Sequence, residues 1–274
     1  MHFSSLLVLL LSPSTTLSFS FVPSSSLSSS SSISSSAMDS MEADGKRGLK
    51  EGVYKKVFVA GGTKGLGLSL VKSLLSRGHD VVGLARSPEG SAALTALGAV
   101  AKEGDAFTYK NVEDAMWGCD AVITTLGGSS DDKGVKVDAK GNNNVVEAAG
   151  ILGIPRVVLV TSIGCGDSKG APPEAVYEVL RDTLAAKDKA ERNLTRYYTN
   201  SKWTIVRPGG LKSDAATGTA VLTEATSAIG SVHREDVASL ICEVLVSEGA
   251  TRKVLSCVDP GLGGEGAQVE AFQL

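Results

Sequence analysis

The stretch VFVAGGTKGLG, Val57 to Gly67, constrains this chain more than any other. Four apolar residues run directly into a loop that holds Gly61, Gly62, Gly65 and Gly67. Beyond it Leu66, Leu70, Val71, Leu74 and Leu75 recur at helical spacing, and Gly78 stands where a helix C-cap is expected. A strand that enters a helix through glycines offers more than a turn. The helix start presents unpaired N–H groups and the positive end of the helix dipole, which together attract a phosphate. Glycine lets the backbone turn tightly and lets the phosphate come close, because no Cβ stands in the way. The context predicts a pyrophosphate cradle, formed by Gly61, Gly62, Thr63, Lys64, Gly65, Leu66 and Gly67.

The chain has 274 residues, and from Val53 onward short apolar runs alternate with helical patterns. Strands are expected at Val57–Ala60, Asp80–Ala85, Ala99–Lys102, Ala121–Thr125, Arg156–Thr161, Trp203–Arg207 and Lys253–Val258. Helices are expected after the glycine loop and at Asn111–Trp117, Val137–Leu152, Glu174–Arg196 and Arg234–Ser247. Apolar strands separated by helices are the pattern of a parallel sheet covered on both faces. The expected fold is therefore α/β, a Rossmann-like doubly wound parallel sheet in one domain spanning 53–258. Residues 259–274, with four glycines soon after Pro260, read as a flexible tail.

Residues 1–45 differ in kind from the rest. Leu6–Leu11 is an apolar run too short to cross a bilayer and of the length of a signal-peptide core. A serine tract, Ser24–Ser36, follows, with no acidic residue before Asp39. A serine-rich, acid-poor segment is the composition of an organelle transit peptide, and it lacks the apolar residues needed to fold. Between the two, Ser18-Phe19-Ser20-Phe21-Val22-Pro23 resembles the junction of the bipartite plastid presequences of diatoms and related algae. The segment departs from that pattern in having no Lys or Arg before Lys46. The expectation is a plastid (stromal) protein carrying a presequence, with a secretory signal and linker as the alternative, and no membrane span in the mature chain.

The formal net charge of −3 argues against a nucleic-acid binder. Four scattered cysteines and three histidines form no metal-ligand spacing, so no metal site and no disulfide framework are expected. Cys119, Cys165, Cys242 and Cys257 read as buried free thiols.

The second strand bears on which nucleotide is bound. An acidic residue at its end selects the ribose hydroxyl of NAD, whereas an arginine accommodates the 2′-phosphate of NADP. Here the strand ends in Ala85-Arg86-Ser87, and no acid occurs before Glu89. Lys64 adds a positive charge in the loop itself. Arg86 and Lys64 together predict NADP(H) in preference to NAD(H).

The chain resembles the short-chain dehydrogenase/reductase superfamily, and in particular its atypical branch of NmrA-like proteins and biliverdin reductase B-like flavin reductases. AGGTKGLG is similar to the superfamily's TGxxxGxG. Gly104-Asp105 resembles the Gly-Asp after strand three, implying that Asp105 caps the adenine and Ala106 adjoins it. Asp120–Gly127 resembles the strand-four segment beside the cofactor, which carries Thr125, Leu126 and Gly127. Asp138-Ala139-Lys140-Gly141-Asn142-Asn143-Asn144 is similar to D-x-x-G-x-x-N, Arg156–Gly164 to R-x-V-x-V-S-S-I-G, and Val232–Ala238 to I-x-R-x-D-V-A. Thr204–Leu211 matches T-I-V-R-P-G-G-L, implying that Pro208, Gly209 and Gly210 meet the nicotinamide end.

The superfamily's chemistry uses a Tyr, a Lys four residues later and a Ser after strand five. Ser162 fits the serine, as a catalytic hydroxyl beside the cofactor or as a group satisfying the strand end. Tyr177 is followed four residues later by Arg181, and is either an acid or a packing tyrosine. Aligning YxxxKxxxE on Lys187 and Glu191 places Thr183, a far weaker acid, at the tyrosine position. The YxxxK of Tyr198 to Lys202 lies before strand six and reads as coincidence. His79 and His233 offer no substitute base. The catalytic candidates are therefore Ser162, Tyr177 and Lys187. The leading expectation is a reductase passing hydride to a small quinone, flavin or carbonyl, with flavin a substrate that needs no tyrosine. A non-catalytic NADPH-binding regulator or scaffold with a protein partner is the alternative, and an epimerase or isomerase is the third reading.

Overall fold

The structure, a computed structural model, describes residues 54–198, 200–263 and 265–274. In chain order the elements are β1 (Lys56–Ala60), α1 (Gly65–Ser76), β2 (Asp80–Ala85), α2 (Pro88–Ala96), β3 (Val100–Glu103), α3 (Tyr109–Met116), β4 (Ala121–Thr124), α4 (Lys140–Ile151), β5 (Arg156–Val160), α5 (Glu174–Tyr197), β6 (Lys202–Pro208), β7 (Gly210–Lys212), β8 (Val221–Thr223), β9 (Ser231–His233), α6 (Arg234–Val246) and β10 (Lys253–Val258).

Period-two alternation sorts the side chains of β1. Val57 and Val59 enter the core shared with α1, α2 and α6, while Phe58 and Ala60 enter the core shared with α3, α4 and α5. Both faces are buried, which is why Val57–Ala60 of β1, Ala121–Ile123 of β4 and Val157–Val160 of β5 are unbroken apolar runs. The eight-stranded sheet runs β3–β2–β1–β4–β5–β6–β10–β8. Its first seven strands are parallel and β8 is antiparallel to β10. A doubly wound sheet is therefore present as the apolar pattern predicts. Strand order reverses at β1, between β2 and β4, and a crevice opens there at the carboxyl ends.

Four elements differ from the sequence expectation. Helix α2 lies in a stretch to which the sequence pattern assigns no element; its signals are the Ser87 side chain accepting from the Gly90 N–H, with Pro88 in the first turn. Only Leu94 of α2 is fully buried, so its apolar periodicity is faint. The short strands β7, β8 and β9 follow Pro208 in a region where three-residue strands leave no period to read. The described residues fall within one compact unit, Leu49–Leu274. The expected presequence, residues 1–45, lies outside the described residues. Beyond Val258, the segment read as a tail makes 3-10 turns at Pro260–Leu262 and Glu265–Ala267, and buries Ala267 against Ile163 and Val258. Among the described residues no helix is long and apolar enough to cross a membrane.

Arg156 fastens the last turn of α6 to the sheet. Its fully buried guanidinium donates to Leu245 O (3.0 Å), Val244 O (2.5 Å), Lys202 O (2.8 Å) and Thr204 Oγ1 (2.9 Å). One of these acceptors, Leu245 O, is a carbonyl of the last helical turn, where intrahelical donors run out, and Val244 O accepts from the Ser247 N–H (3.2 Å) as well. Burial lowers the Arg156 pKa to about 10, which still leaves it charged near neutrality. Arg156→Met removes all four bonds and strands buried Leu245 O, and a loss of about 2–4 kcal/mol in unfolding free energy is expected from denaturant titration. A loss under about 0.5 kcal/mol, the scale of surface ion pairs in general, would contradict this role.

Candidate cofactor and substrate site

A cleft of about 1170 Å³ opens at the carboxyl ends of the strands, over the point where strand order reverses. Gly61, Thr63, Lys64, Gly65, Leu66 and Gly67 line one end of it. The loop is closed by a backbone contact: a Cβ on Gly67 would stand 2.0 Å from Gly61 O. Helix α1 starts here with extended Lys64 as its N-cap, no side-chain cap bond and no acid in the first turn. Its leading N–H groups are thus open to an anion. Gly62 is the exception in the loop. It does not line the cleft, and a Cβ there would press on Val71 (3.0 Å) and Val59 (3.3 Å), so it is a packing glycine against the core.

Arg86, Ser87, Glu89 and Gly90 form the next wall, with Gly104, Asp105 and Ala106 facing them. Arg86 Nη1 is 3.9 Å from Asp105 Oδ2, both side chains about half exposed (55% and 41%), a loose pair that a stronger anion can displace. Asp105 Oδ1 accepts from the Phe107 N–H (3.0 Å), fixing the turn. Glu89 is the acid beside Arg86. Hydrogen bonds from its own backbone N–H and from Ser87 hold its carboxyl below the usual range, so it folds back onto the start of α2. Asn144 of α4 donates to Ala106 O (2.7 Å) and Phe107 O (3.1 Å), which explains the asparagine of the D-x-x-G-x-x-N pattern.

The far end gathers Thr125, Leu126, Gly127, Ser162, Pro208, Gly209 and Gly210. Lys187 Nζ lies 2.9 Å from Asp138 Oδ1 and 3.3 Å from Leu126 O. Asp138 Oδ2 accepts from the Gly128 N–H (3.0 Å). A Cβ on Gly127 would meet Asp138 Oδ1 at 2.8 Å and Lys187 Nζ at 2.9 Å, so only glycine allows this ion pair to reach the strand end. One turn along α5, buried Glu191 accepts from Thr161 Oγ1 (2.5 Å) and takes both Arg207 Nε (3.0 Å) and Nη2 (2.7 Å). That bidentate pair locks α5 to β6 and so sets the reach of Lys187.

Thr183 and Lys187 line the cleft, together with Val176 and Leu180 from the same helix face. Tyr177 does not. It lies a quarter-turn round from Val176, with its ring 5.3 Å from Lys169 Nζ, and its expected place at the site is corrected. Ser162 lines the cleft and its hydroxyl donates to Ile163 O (3.0 Å), so it serves the strand end and still faces the cavity. Tyr198 packs on Gly150, and Lys202 pairs with Glu248, so that YxxxK is remote from the cleft. Ile163, Pro172, Pro173, Leu211 and Ile229 make the far end apolar, and Arg234 reaches the glycine loop. Ile163, Leu211 and Arg234 stand in segments whose motifs the sequence shows without giving them a role, whereas Pro172, Pro173 and Ile229 lie in loops that no local sequence signal marks.

Outside the cleft, buried His233, Asp236 and Asp259 bring ligand atoms within 4.8 Å of one another. The carboxylates are engaged by the loop after β7: Thr217 and Gly218 N–H groups donate to Asp236 (2.9 and 3.0 Å), and the Thr217 and Thr219 hydroxyls donate to Asp259. The cluster pins that loop. His79 is buried against Tyr54 O (2.7 Å). Burial pushes the thiols of Cys119 and Cys242 up to about 11 and that of Cys165 to about 12, leaving them protonated and inert.

Residues 61–248 match the NAD(P)H-binding family. The chain belongs to that family. An uncharacterized chloroplastic protein of Arabidopsis thaliana is 36% identical over 219 residues, which is 74% of this chain and 76% of that one. The uncharacterized sugar epimerase YhfK of Bacillus subtilis is 31% identical over 194 residues, covering 68% of this chain and 86% of that protein. Among solved structures, ChuY, an anaerobillin reductase from Escherichia coli O157:H7, superposes with a TM-score of 0.69 at 30% identity, over 76% of this chain and 99% of its own. As an NAD(P)H-binding protein, the chain has its family segment beginning at Gly61, the first glycine of the cradle. Gly67→Ala is expected to weaken NAD(P)H binding at least about tenfold or to lower the melting temperature by several degrees, since the backbone contact must open. Wild-type affinity together with wild-type melting would contradict the cradle geometry.

Proposed function

We propose that this protein is an NADPH-dependent oxidoreductase of the atypical short-chain dehydrogenase/reductase branch, with a small apolar acceptor such as a quinone, flavin or carbonyl. The observation that carries this reading is one continuous cleft. It runs from a phosphate cradle flanked by Lys64 and Arg86 to an apolar end where Ser162, Thr183 and Lys187 meet Pro208–Gly210.

The residues fit the cofactor. The open N–H groups at the start of α1 take the pyrophosphate, and Arg86 with Lys64 takes the 2′-phosphate. Asp105 and Ala106 bound the adenine, and Thr125, Leu126, Gly127 and Pro208–Gly210 bound the nicotinamide. Bound NADPH supplies the hydride. Lys187 presents a fixed positive charge to the acceptor, held by Asp138 and Leu126 O, and so stabilises negative charge that develops there. Ser162 and Thr183 orient the acceptor's oxygen or ring nitrogen. Among the described residues no tyrosine lines the cleft, so the acceptor's proton comes from water, which suits quinones and flavins better than simple ketones.

A regulator that binds NADPH without turnover is the second reading, supported by Thr183 standing in the tyrosine position and Tyr177 lying outside the cleft. Oxidation of NADPH deuterated at C4, with quinones, flavins and small carbonyls as acceptors, separates the two. Stereospecific transfer to an acceptor supports the reductase. Tight NADPH binding with no transfer across the panel, and a partner whose affinity responds to NADPH, would favour the regulator. For location we propose the plastid, on the serine-rich leader and the chloroplastic Arabidopsis relative; a tagged full-length chain found in the secretory pathway would contradict this.

Arg86→Ala and Lys64→Ala are each expected to weaken NADPH binding about tenfold, the lower end for a charge-assisted hydrogen bond at an exposed site, while leaving NADH unchanged. Calorimetric titration of both cofactors measures this. Equal loss for both would contradict the 2′-phosphate assignment.

A further inference from the structure

Arg234 opens α6, directly after buried His233, and its side chain lines the same cleft. Its Nε stands 3.7 Å from where a Cβ on Gly65 would be, over the first residue of α1. Helices α1 and α6 share one core through Leu66, Leu70, Val237 and Ile241, so this closeness is set by packing and not by a flexible loop. The hydrogen bonds of Arg234 use a single nitrogen: Nη1 donates to Leu211 O (3.3 Å) and to Ser213 Oγ (2.6 Å). Among the described residues no carboxylate pairs with it; the neighbouring Asp236 is taken up by Thr217 and Gly218. A guanidinium with an unused edge, in a cleft and above open helix N–H groups, is a binding element for an oxyanion.

We propose that Arg234 binds the diphosphate of the dinucleotide from the side opposite the glycine loop, and ties its occupancy to the order of the segment 211–219. The proposal rests on reading the cleft as a dinucleotide site. Its charge has a different task from those of Lys64 and Arg86. Those residues distinguish the 2′-phosphate, whereas Arg234 addresses the diphosphate that NADPH and NADH share. The second half follows from its bonds. The nitrogen that holds Leu211 and Ser213 belongs to the same rigid plane as the edge facing the phosphate. A diphosphate that fixes this plane also fixes the segment that follows Gly210 at the nicotinamide end.

The test titrates wild type, Arg234→Met and Arg234→Lys with NADPH, NADH, ADP-ribose and adenosine 2′-monophosphate, the last lacking a diphosphate. Arg234→Met is expected to weaken NADPH, NADH and ADP-ribose alike, by about tenfold, and to leave the 2′-monophosphate within about twofold. Arg234→Lys is expected to recover part of the loss, as a point charge replaces the fork. Amide hydrogen exchange in residues 213–219 is expected to slow when NADPH binds the wild type and to stay fast in Arg234→Met. Unchanged ADP-ribose affinity in Arg234→Met, or an equal loss for the 2′-monophosphate, would overturn the diphosphate assignment while leaving the cleft reading intact. Exchange that slows equally in both proteins would overturn the coupling. A wild type that binds none of the dinucleotides would overturn the cleft reading and this proposal with it.

Discussion

The backbone of Gly67 lies so close to the carbonyl of Gly61 that no side chain fits between them, and the rest of the site is arranged around this contact. It folds the end of β1 straight into α1 and points the helix's open N–H groups at the crevice between β1 and β4. A sheet whose strand order reverses at β1 leaves that crevice uncovered by helices. The helix dipole, the unpaired donors and the empty volume therefore coincide. A phosphate can satisfy donors that the fold itself leaves unmet.

Polar tethers do the remaining positioning. Asn142 accepts from Thr124 Oγ1 (2.6 Å) and donates to Leu126 O (3.3 Å), while Asn144 holds Ala106 and Phe107. Asp138 lies four residues before Asn142 and holds Lys187 and the Gly128 N–H. Residues 138–144 thus fix the Ala106–Phe107 turn, the β4 loop and the Lys187 ammonium. Glu191 and Arg207 perform the equivalent task between α5 and β6. The side chains of Asp138, Asn142, Asn144, Glu191 and Arg207 are buried, where a satisfied hydrogen bond specifies geometry because an unmade one costs about 1–3 kcal/mol.

The sheet was legible in the sequence because strands buried on both faces are unbroken apolar runs, and the cradle because glycine spacing after such a run has few other uses. Failures follow physical lines as well. Helix α2 buries a single leucine, so its evidence lay in the Ser87-Pro88 cap and not in any period. Gly62 belongs to the right motif, but residue type does not reveal that its open side faces Val71. Tyr177 differs from Val176 by one residue and by the rotation that takes it off the cleft face. Arg234 meets Gly65 across two helices distant in sequence, a contact that only the packing of α6 on α1 creates.

The chain thus combines a family-level NAD(P)H cradle with basic groups at two points and an apolar end that holds one fixed cation. Its cofactor preference is the central claim, since the placement of Arg86, Lys64 and the acceptor end all depend on it. Calorimetric titration of the full chain with NADPH and with NADH tests it most directly. NADPH is expected to bind at least about tenfold more tightly, the scale of one charge-assisted hydrogen bond to the 2′-phosphate. Equal affinity, or a preference for NADH, would contradict the account.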